Sequence, residues 1–382
     1  MNLEEPLAQT KLSLAATDGL TQFKEFKVNH PLLEKCFYEL VEAIRESPPG
    51  TLVFLLGPSG VGKTTILKKL MKVVTANLQT ELQSDYERIP IVHILLQAPT
   101  AGAFDWKDYF TRSLMSLEEP LANRKIDVEA SLSSKQSVAY LSIYDRTPTA
   151  RLRLAVERAI EHRRPAAILL DEAQHLGIVG SGRKLLDQLN VVKSIADTTQ
   201  VTHVLCGTYE LLPFLHLNAQ LSRRSVIIQF DRYHTERPEH ELAFKSILNT
   251  FQQQMPLANQ SDLVSEWEFF YERSLGCVGI VKRWLEDALK LALRDKTPQL
   301  KRNHLEAKAP SAKKCFFQLN EILLAEKALA ESDEDVADLR SRLKIGEQPA
   351  QELPVSASPK PGKRRVGVRK PKRDKVGGYQ AA

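Results

Sequence analysis

Residues Gly57, Pro58, Ser59, Gly60, Val61, Gly62, Lys63 and Thr64 spell G-x-x-x-x-G-K-[ST], a pattern whose residue types suit one task. Glycines let successive backbone N–H groups turn inward around an anionic phosphate, and a helix that starts there adds its positive end. Lys63 is placed to reach the β- and γ-phosphates, the Thr64 hydroxyl to ligate Mg²⁺, and Thr65 to join the nucleotide contacts. A second constellation lies 108 residues on, where Ala166-Ala167-Ile168-Leu169-Leu170 ends in Asp171-Glu172. A strand with this ending delivers Asp171 to a Mg²⁺ shell and leaves Glu172 to polarise an attacking water as general base. The expected chemistry is binding and hydrolysis of a nucleoside triphosphate. An ordinary strand-to-helix turn, or a strand that merely ends in acids, would explain either stretch alone, and their pairing weighs against both.

Apolar patterning predicts the elements that must hold these groups. Leu52 to Leu56 reads as a buried strand, and Ile66, Leu67, Leu70, Met71 and Val74 mark one face of the helix that follows. His30 to Glu46 reads as a helix that helps wall a base pocket, ended by Ser47-Pro48-Pro49-Gly50. Ile89 to Gln97 reads as a second strand, with His93 as a packed histidine, and Phe104 to Leu117 as a helix. Ala130 to Ser142 reads as a loop. Thr149 to Arg163 is predicted as a helix, and the strand ending at Asp171 is expected beside the first strand. Arg183 to Ala196 is a further helix, and Val201 to Thr208 a strand that ends on a polar side chain. Thr208 either monitors the γ-phosphate or caps the next helix. Val226 to Phe230 is an edge strand preceded by Arg223-Arg224. Glu239 to Gln253 and Val281 to Arg294 are amphipathic helices, which places Lys282 and Arg283 on the first turn of the second. Cys315 to Leu329 and Glu331 to Leu343 are predicted to be helical.

Composition narrows the class. The chain has 382 residues, 43% of them hydrophobic, enough for a sizeable core. It has no apolar run of membrane-spanning length, and Met1 to Thr21 lacks the pattern of a signal peptide, so a cytoplasmic protein without a membrane partner is expected. Cys36, Cys206, Cys277 and Cys315 have no metal-ligand spacing and read as reduced, buried side chains. Of 53 basic and 47 acidic residues, nine basic and one acidic lie in 356–382, which leaves 44 against 46 elsewhere. That last stretch, with Lys363, Arg364 and Arg365, is rich in proline and glycine and reads as a disordered arm suited to nucleic acid. A localisation signal or a solubilising tail is its plainer reading. Lys107, Arg112, Lys125, Arg146 and Arg151 are further candidates for a DNA surface, although a solvated face accounts for any one of them singly.

The order of phosphate loop, Asp171-Glu172, Thr208, Arg223-Arg224 and a following helical segment resembles the AAA+ ATPases. Within them, D-E-A-Q-H-L from Asp171 to Leu176, G-T-Y-E-L-L from Gly207 to Leu212 and L-S-R-R from Leu221 to Arg224 resemble the TniB/TnsC group of transposition regulators. The likeness covers about residues 30 to 295. It implies an α/β P-loop AAA+ fold, with a parallel β-sheet flanked by helices, a small C-terminal helical lid and a disordered basic tail. The division it implies is 1–29 as N-terminal extension, 30–235 as nucleotide-binding domain, 236–297 as lid, 298–345 as helical extension and 346–382 as tail. It also implies ATP and Mg²⁺ as cofactors, Thr208 as first sensor, and Lys282 or Arg283 as second sensor. Arg223 or Arg224 would be a finger acting on a neighbouring subunit's nucleotide. The implied partners are double-stranded DNA, further copies of the chain in a ring or filament, a transposase and a TniQ-like target-selection protein, in a bacterial cytoplasm. D-E-A-Q-H also occurs in secretion-type and signalling ATPases, and a helicase loader would share the site. Both of those readings stay open, and a non-hydrolysing scaffold is disfavoured by Lys63 and Glu172.

Overall fold

A computed structural model describes residues 14–99, 102, 104–119, 148–178, 182–216 and 225–345. Residue contacts divide the chain into Met1–Lys327 and Ala328–Ala382. In the first unit, the apolar runs form five strands, β1 (Leu52–Leu56), β2 (Val92–Leu95), β3 (Ala167–Asp171), β4 (Thr202–Gly207) and β5 (Ser225–Gln229). They make one parallel sheet in the order β2-β3-β4-β1-β5. β1, β3 and β4 are buried along their whole length, as expected of continuous apolar runs covered on both faces. β5, at the edge, is mostly half-exposed.

This order corrects one expectation. β3 does not lie beside β1, because β4 pairs with both and separates them. The apolar run of β4 is as buried as the other two, so periodicity could not tell which strand is central. β2 is also shorter than the predicted Ile89 to Gln97: Pro90 can donate no ladder hydrogen bond, and pairing is regular only over Val92–Leu95.

Helices cover the sheet. α1 (Leu14–Glu25) lies in the stretch assigned from the sequence to an N-terminal extension, and α2 (Pro31–Glu46) is capped by His30, whose ring nitrogen accepts the Leu33 N–H. α3 (Lys63–Asn77) follows the phosphate loop, buries Ile66, Leu67 and Leu70, and leads to the short α4 (Gln79–Ser84). α5 (Trp106–Ser116) starts at an Asp105 cap and packs on α6 (Thr149–Arg163), which ends at left-handed Arg164 just before Pro165. α7 (Gly182–Thr199) and the short α8 (Leu212–His216) complete this layer. The core beneath α2 and α3 joins Leu40, Leu67, Val53, Leu169, Val204 and Phe230.

A second core is built from α9 (Pro238–Gln253), α10 (Trp267–Ser274), α11 (Val278–Arg294) and α12 (Arg302–Lys308). Trp284 packs edge-on against Phe269 and tilted against Phe270, with its indole N–H donated to the Leu305 carbonyl at 2.8 Å. Leu300 and Leu305 belong to this core, so the lid packs beyond residue 297. α1 supplies Leu20 and Phe23 to it. α13 (Ala312–Leu329) is tied back by Glu326, which accepts two hydrogen bonds from Arg232 at 2.9 and 3.1 Å. In the second unit, α14 (Asp333–Arg342) starts with a Ser332–Asp335 capping box and buries no side chain. All four cysteines are buried and free. Among the described residues no helix is long and apolar enough to cross a membrane. The basic stretch 346–382 and the predicted loop from Ala130 to Ser142 lie outside the described residues.

α11 begins three residues earlier than the sequence suggested, at Val278 rather than Val281, so Lys282 and Arg283 occupy its second turn and not its first. Gly279 sits inside the first turn of α11. Lys282 is 8% exposed; its ammonium donates to the Phe23 carbonyl, lies 3.4 Å from the Phe23 ring centroid and is 3.4 Å from Glu286. Burial lowers its pKa to about 8, against the opposing pull of Glu286. Between about pH 8 and pH 10.5 the unfolded chain therefore holds a proton that the folded chain has released. Stability should rise with pH across that window by roughly 1–2 kcal/mol. Denaturation of wild type and Lys282→Met at pH 7.5, 9 and 10 checks this, the increment being expected in wild type and missing from the variant.

Candidate active site

The phosphate loop leaves β1 at Leu56 and turns through Gly60 (φ 81°) and Gly62 (φ 122°), conformations that disfavour any side chain. Close packing fixes its glycines as well. A Cβ on Gly57 would lie 2.6 Å from the Phe230 carbonyl oxygen, and one on Gly60 would lie 2.6 Å from Ile280 Cγ1. Gly62 caps α3 with no side-chain hydrogen bond, so the first N–H groups of α3 are left to whatever binds at the loop. Lys63 lies over the loop, donating to the carbonyls of Gly57 at 2.8 Å and Pro58 at 2.9 Å. Burial lowers its pKa, against the attraction of Glu172 and Asp171.

The exposed Thr64 hydroxyl donates to Asp171 Oδ2 at 3.0 Å, across the end of β4. Burial alone would raise the Asp171 carboxyl. His93 beside it, the Thr64 hydroxyl and the Glu172 N–H together hold it below the usual carboxylate range. Asp171 therefore stays an anion paired with a hydroxyl oxygen, a donor set of the hard kind that Mg²⁺ prefers. Residues outside the predicted set complete the surroundings. His93 Nε2 is 3.7 Å from Asp171 Oδ2, so the histidine read from the sequence as packing stands next to this carboxylate. Gln174 links Glu172 to the Thr208 N–H. Gln174 stands two residues after Glu172, a local signal, whereas His93, the second residue of β2, meets Asp171 only through the pairing of β2 with β3.

Glu172 follows β3 in a left-handed conformation (φ 56°, ψ 39°) that turns its carboxylate out of the strand register. Thr208 stands at the end of β4 before a short 3-10 turn (Tyr209–Leu211) and makes no side-chain cap, so the capping alternative is not what its hydroxyl does. Among the described residues the buried Thr208 Oγ1 has no hydrogen-bond partner. An orphaned hydroxyl of this kind, at the end of β4 and joined through Gln174 to Glu172, fits a site that receives a phosphate with its Mg²⁺.

A cavity of about 530 Å³ opens beside the loop, lined among others by His30, Val61, Thr65, Gly279 and Arg283. It lies between the segment before α2, the phosphate loop and α11, and its size suits a nucleoside. His30 is kept neutral there, its pKa lowered to about 4 by burial and by Lys69. Lys282 also lines the cavity but is engaged with Phe23, whereas Arg283 is exposed at its edge. Arg223 and Arg224 lie outside the described residues. Lys107 and Arg112 project from α5 and Arg151 from the adjoining α6, with Arg112 paired to Asp108 at 2.6 Å. Lys125, Arg146, Lys363, Arg364 and Arg365 are outside the described residues.

One hydrogen bond connects the loop to the lid, from the Gly279 N–H to the Gly60 carbonyl at 2.8 Å. A Cβ on Gly279 would come within 2.5 Å of that carbonyl oxygen. Gly279→Ala is therefore expected to weaken binding of a fluorescent ATP analogue by about tenfold, the worth of one displaced hydrogen bond.

Residues 49–215 match the family described as AAA domain. A comparison with curated proteins finds no match. Among solved structures, the Aeropyrum pernix ORC2 protein is 14% identical, over 75% of this chain and 70% of that one, with a TM-score of 0.47. A Walker-type ATPase of Pyrococcus abyssi is 17% identical over 81% and 75%, at 0.44. The Thermotoga maritima RuvB Holliday junction branch migration motor is 14% identical over 72% and 67%, at 0.37. The matched segment runs from just before β1 to the helix after β4, and the phosphate loop and sheet order described above are those of a P-loop AAA fold.

Proposed function

We propose that this chain is an ATP-hydrolysing regulator of DNA transposition that assembles on double-stranded DNA. The hydrolytic part is carried by one observation, the 3.0 Å approach of Thr64 to Asp171 with Lys63 and Glu172 beside it. In this reading Lys63 and the α3 N-terminus hold the triphosphate, and the cavity walled by His30 and Thr65 takes the nucleoside. When bound by Thr64 and Asp171, Mg²⁺ would supply charge neutralisation at the phosphates. Glu172 accepts a proton from the attacking water. Thr208 offers its unpaired hydroxyl to the phosphate or the water. Arg283 is the candidate second sensor.

The transposition context is supported by the D-E-A-Q-H-L, G-T-Y-E-L-L and L-S-R-R runs, and DNA contact by the basic side chains of α5 and α6. Arg223 or Arg224 from a neighbouring copy completes the site, so ATP stabilises the assembly and hydrolysis releases it. Contacts made chiefly to phosphates give little sequence preference. The transposase and a target-selection protein are the partners such a regulator connects.

The test is assembly on random duplex DNA at low salt, followed by electron microscopy with ATP or a non-hydrolysable analogue. Rings or filaments are expected with either nucleotide. Glu172→Gln should lower hydrolysis by about 10²-fold or more and lock the assemblies, whereas Lys63→Ala should lose both nucleotide and assembly. ATP hydrolysis without any DNA-dependent assembly would favour a signalling or secretion-type ATPase instead.

A further inference from the structure

Gln174 has no part in the chemistry above, yet it is only 7% exposed and sits against two of its members. Its Nε2 donates to Glu172 Oε2, and its Oε1 accepts the backbone N–H of Thr208 at 3.2 Å. These partners dictate how the amide faces, since a carboxylate only accepts and a backbone N–H only donates. A side chain that must do both is an amide. An ionised glutamate could not donate to Glu172, and methionine would match the length but make neither bond.

The neighbouring backbone is shaped to admit this amide. Residue 207 is glycine, and a Cβ there would lie 2.5 Å from Gln174 Oε1 and 2.7 Å from Leu211 Cδ1. Glu172 needs such a partner, because its left-handed backbone places it outside both the β3 register and the turn that follows. The bond from Gln174 engages one carboxylate oxygen and leaves the other to accept from water. It also joins the end of β3 to the end of β4, so Glu172 and Thr208 keep a set relation to one another.

We infer that Gln174 is a positioning residue for hydrolysis, which aims the Glu172 carboxylate and ties it to Thr208. The inference rests on the reading of Glu172 as general base. Gln174→Met removes both hydrogen bonds at similar length. Its kcat for ATP hydrolysis is expected to fall about tenfold or more, with the Kd for a non-hydrolysable ATP analogue unchanged. Gly207→Ala displaces the same amide without removing it and is expected to give the same split between kcat and Kd. It also serves if Gln174→Met does not fold. In a Glu172→Gln background, Gln174→Met should lower kcat no further, because it acts only through Glu172. An unchanged kcat, or kcat and nucleotide affinity falling together, overturns the role. Wild-type hydrolysis by Glu172→Gln would instead remove the general base itself, so the two failures are distinguishable.

Discussion

The Thr64 hydroxyl meets the Asp171 carboxylate across the end of β4, a strand that belongs to neither residue. This contact requires that α3 begin directly above the sheet's C-terminal edge and that β3 end at the same level. Parallel pairing of β1, β4 and β3 in register secures the second condition. The glycines of the phosphate loop secure the first, since the chain must reverse within six residues between β1 and α3. Ligands in open parallel sheets bind beyond the carboxyl ends of the strands, and every group assigned to the site lies there.

The lid is held to that edge by backbone rather than by charge. Gly279 brings the first turn of α11 to within hydrogen-bonding distance of Gly60, and Ile280 packs where a Cβ on Gly60 would stand. Behind this seam, the aromatic core around Trp284 keeps α11 in place, and α1 joins it through Leu20 and Phe23. Lys282 is a buried charge beside that core. It is buried because the Phe23 carbonyl, the Phe23 ring and Glu286 together replace its water. The cavity beside the phosphate loop lies between these two parts.

Much of this was legible in the residue pattern. G-x-x-x-x-G-K-[ST] between an apolar run and an amphipathic helix placed the loop, and an apolar run ending in Asp171-Glu172 placed the acids. Both signals are local, and local signals survive reading along the chain. What was not legible depends on pairing between distant segments. β4 is as apolar as β1 and β3, so its insertion between them has no signature in periodicity. The start of α11 at Val278 was missed because the missing Cβ of Gly279 serves a contact 219 residues away. α1 escaped notice because its apolar residues are few and gain their partners only from the lid. Gln174 and His93 became visible as site neighbours only once β2, β3 and β4 were side by side.

The central claim is that Thr64 and Asp171 form a Mg²⁺-dependent hydrolytic centre with Lys63 and Glu172. Phosphate release from ATP, measured against Mg²⁺ concentration for wild type, Thr64→Ala and Asp171→Asn, tests it most directly. Hydrolysis should vanish with a chelator, and both variants should need at least about tenfold more Mg²⁺ for half-maximal rate, the loss expected when one oxygen ligand to the ion is weakened or removed. A wild-type Mg²⁺ dependence in Asp171→Asn, or hydrolysis that persists in chelator, would contradict it.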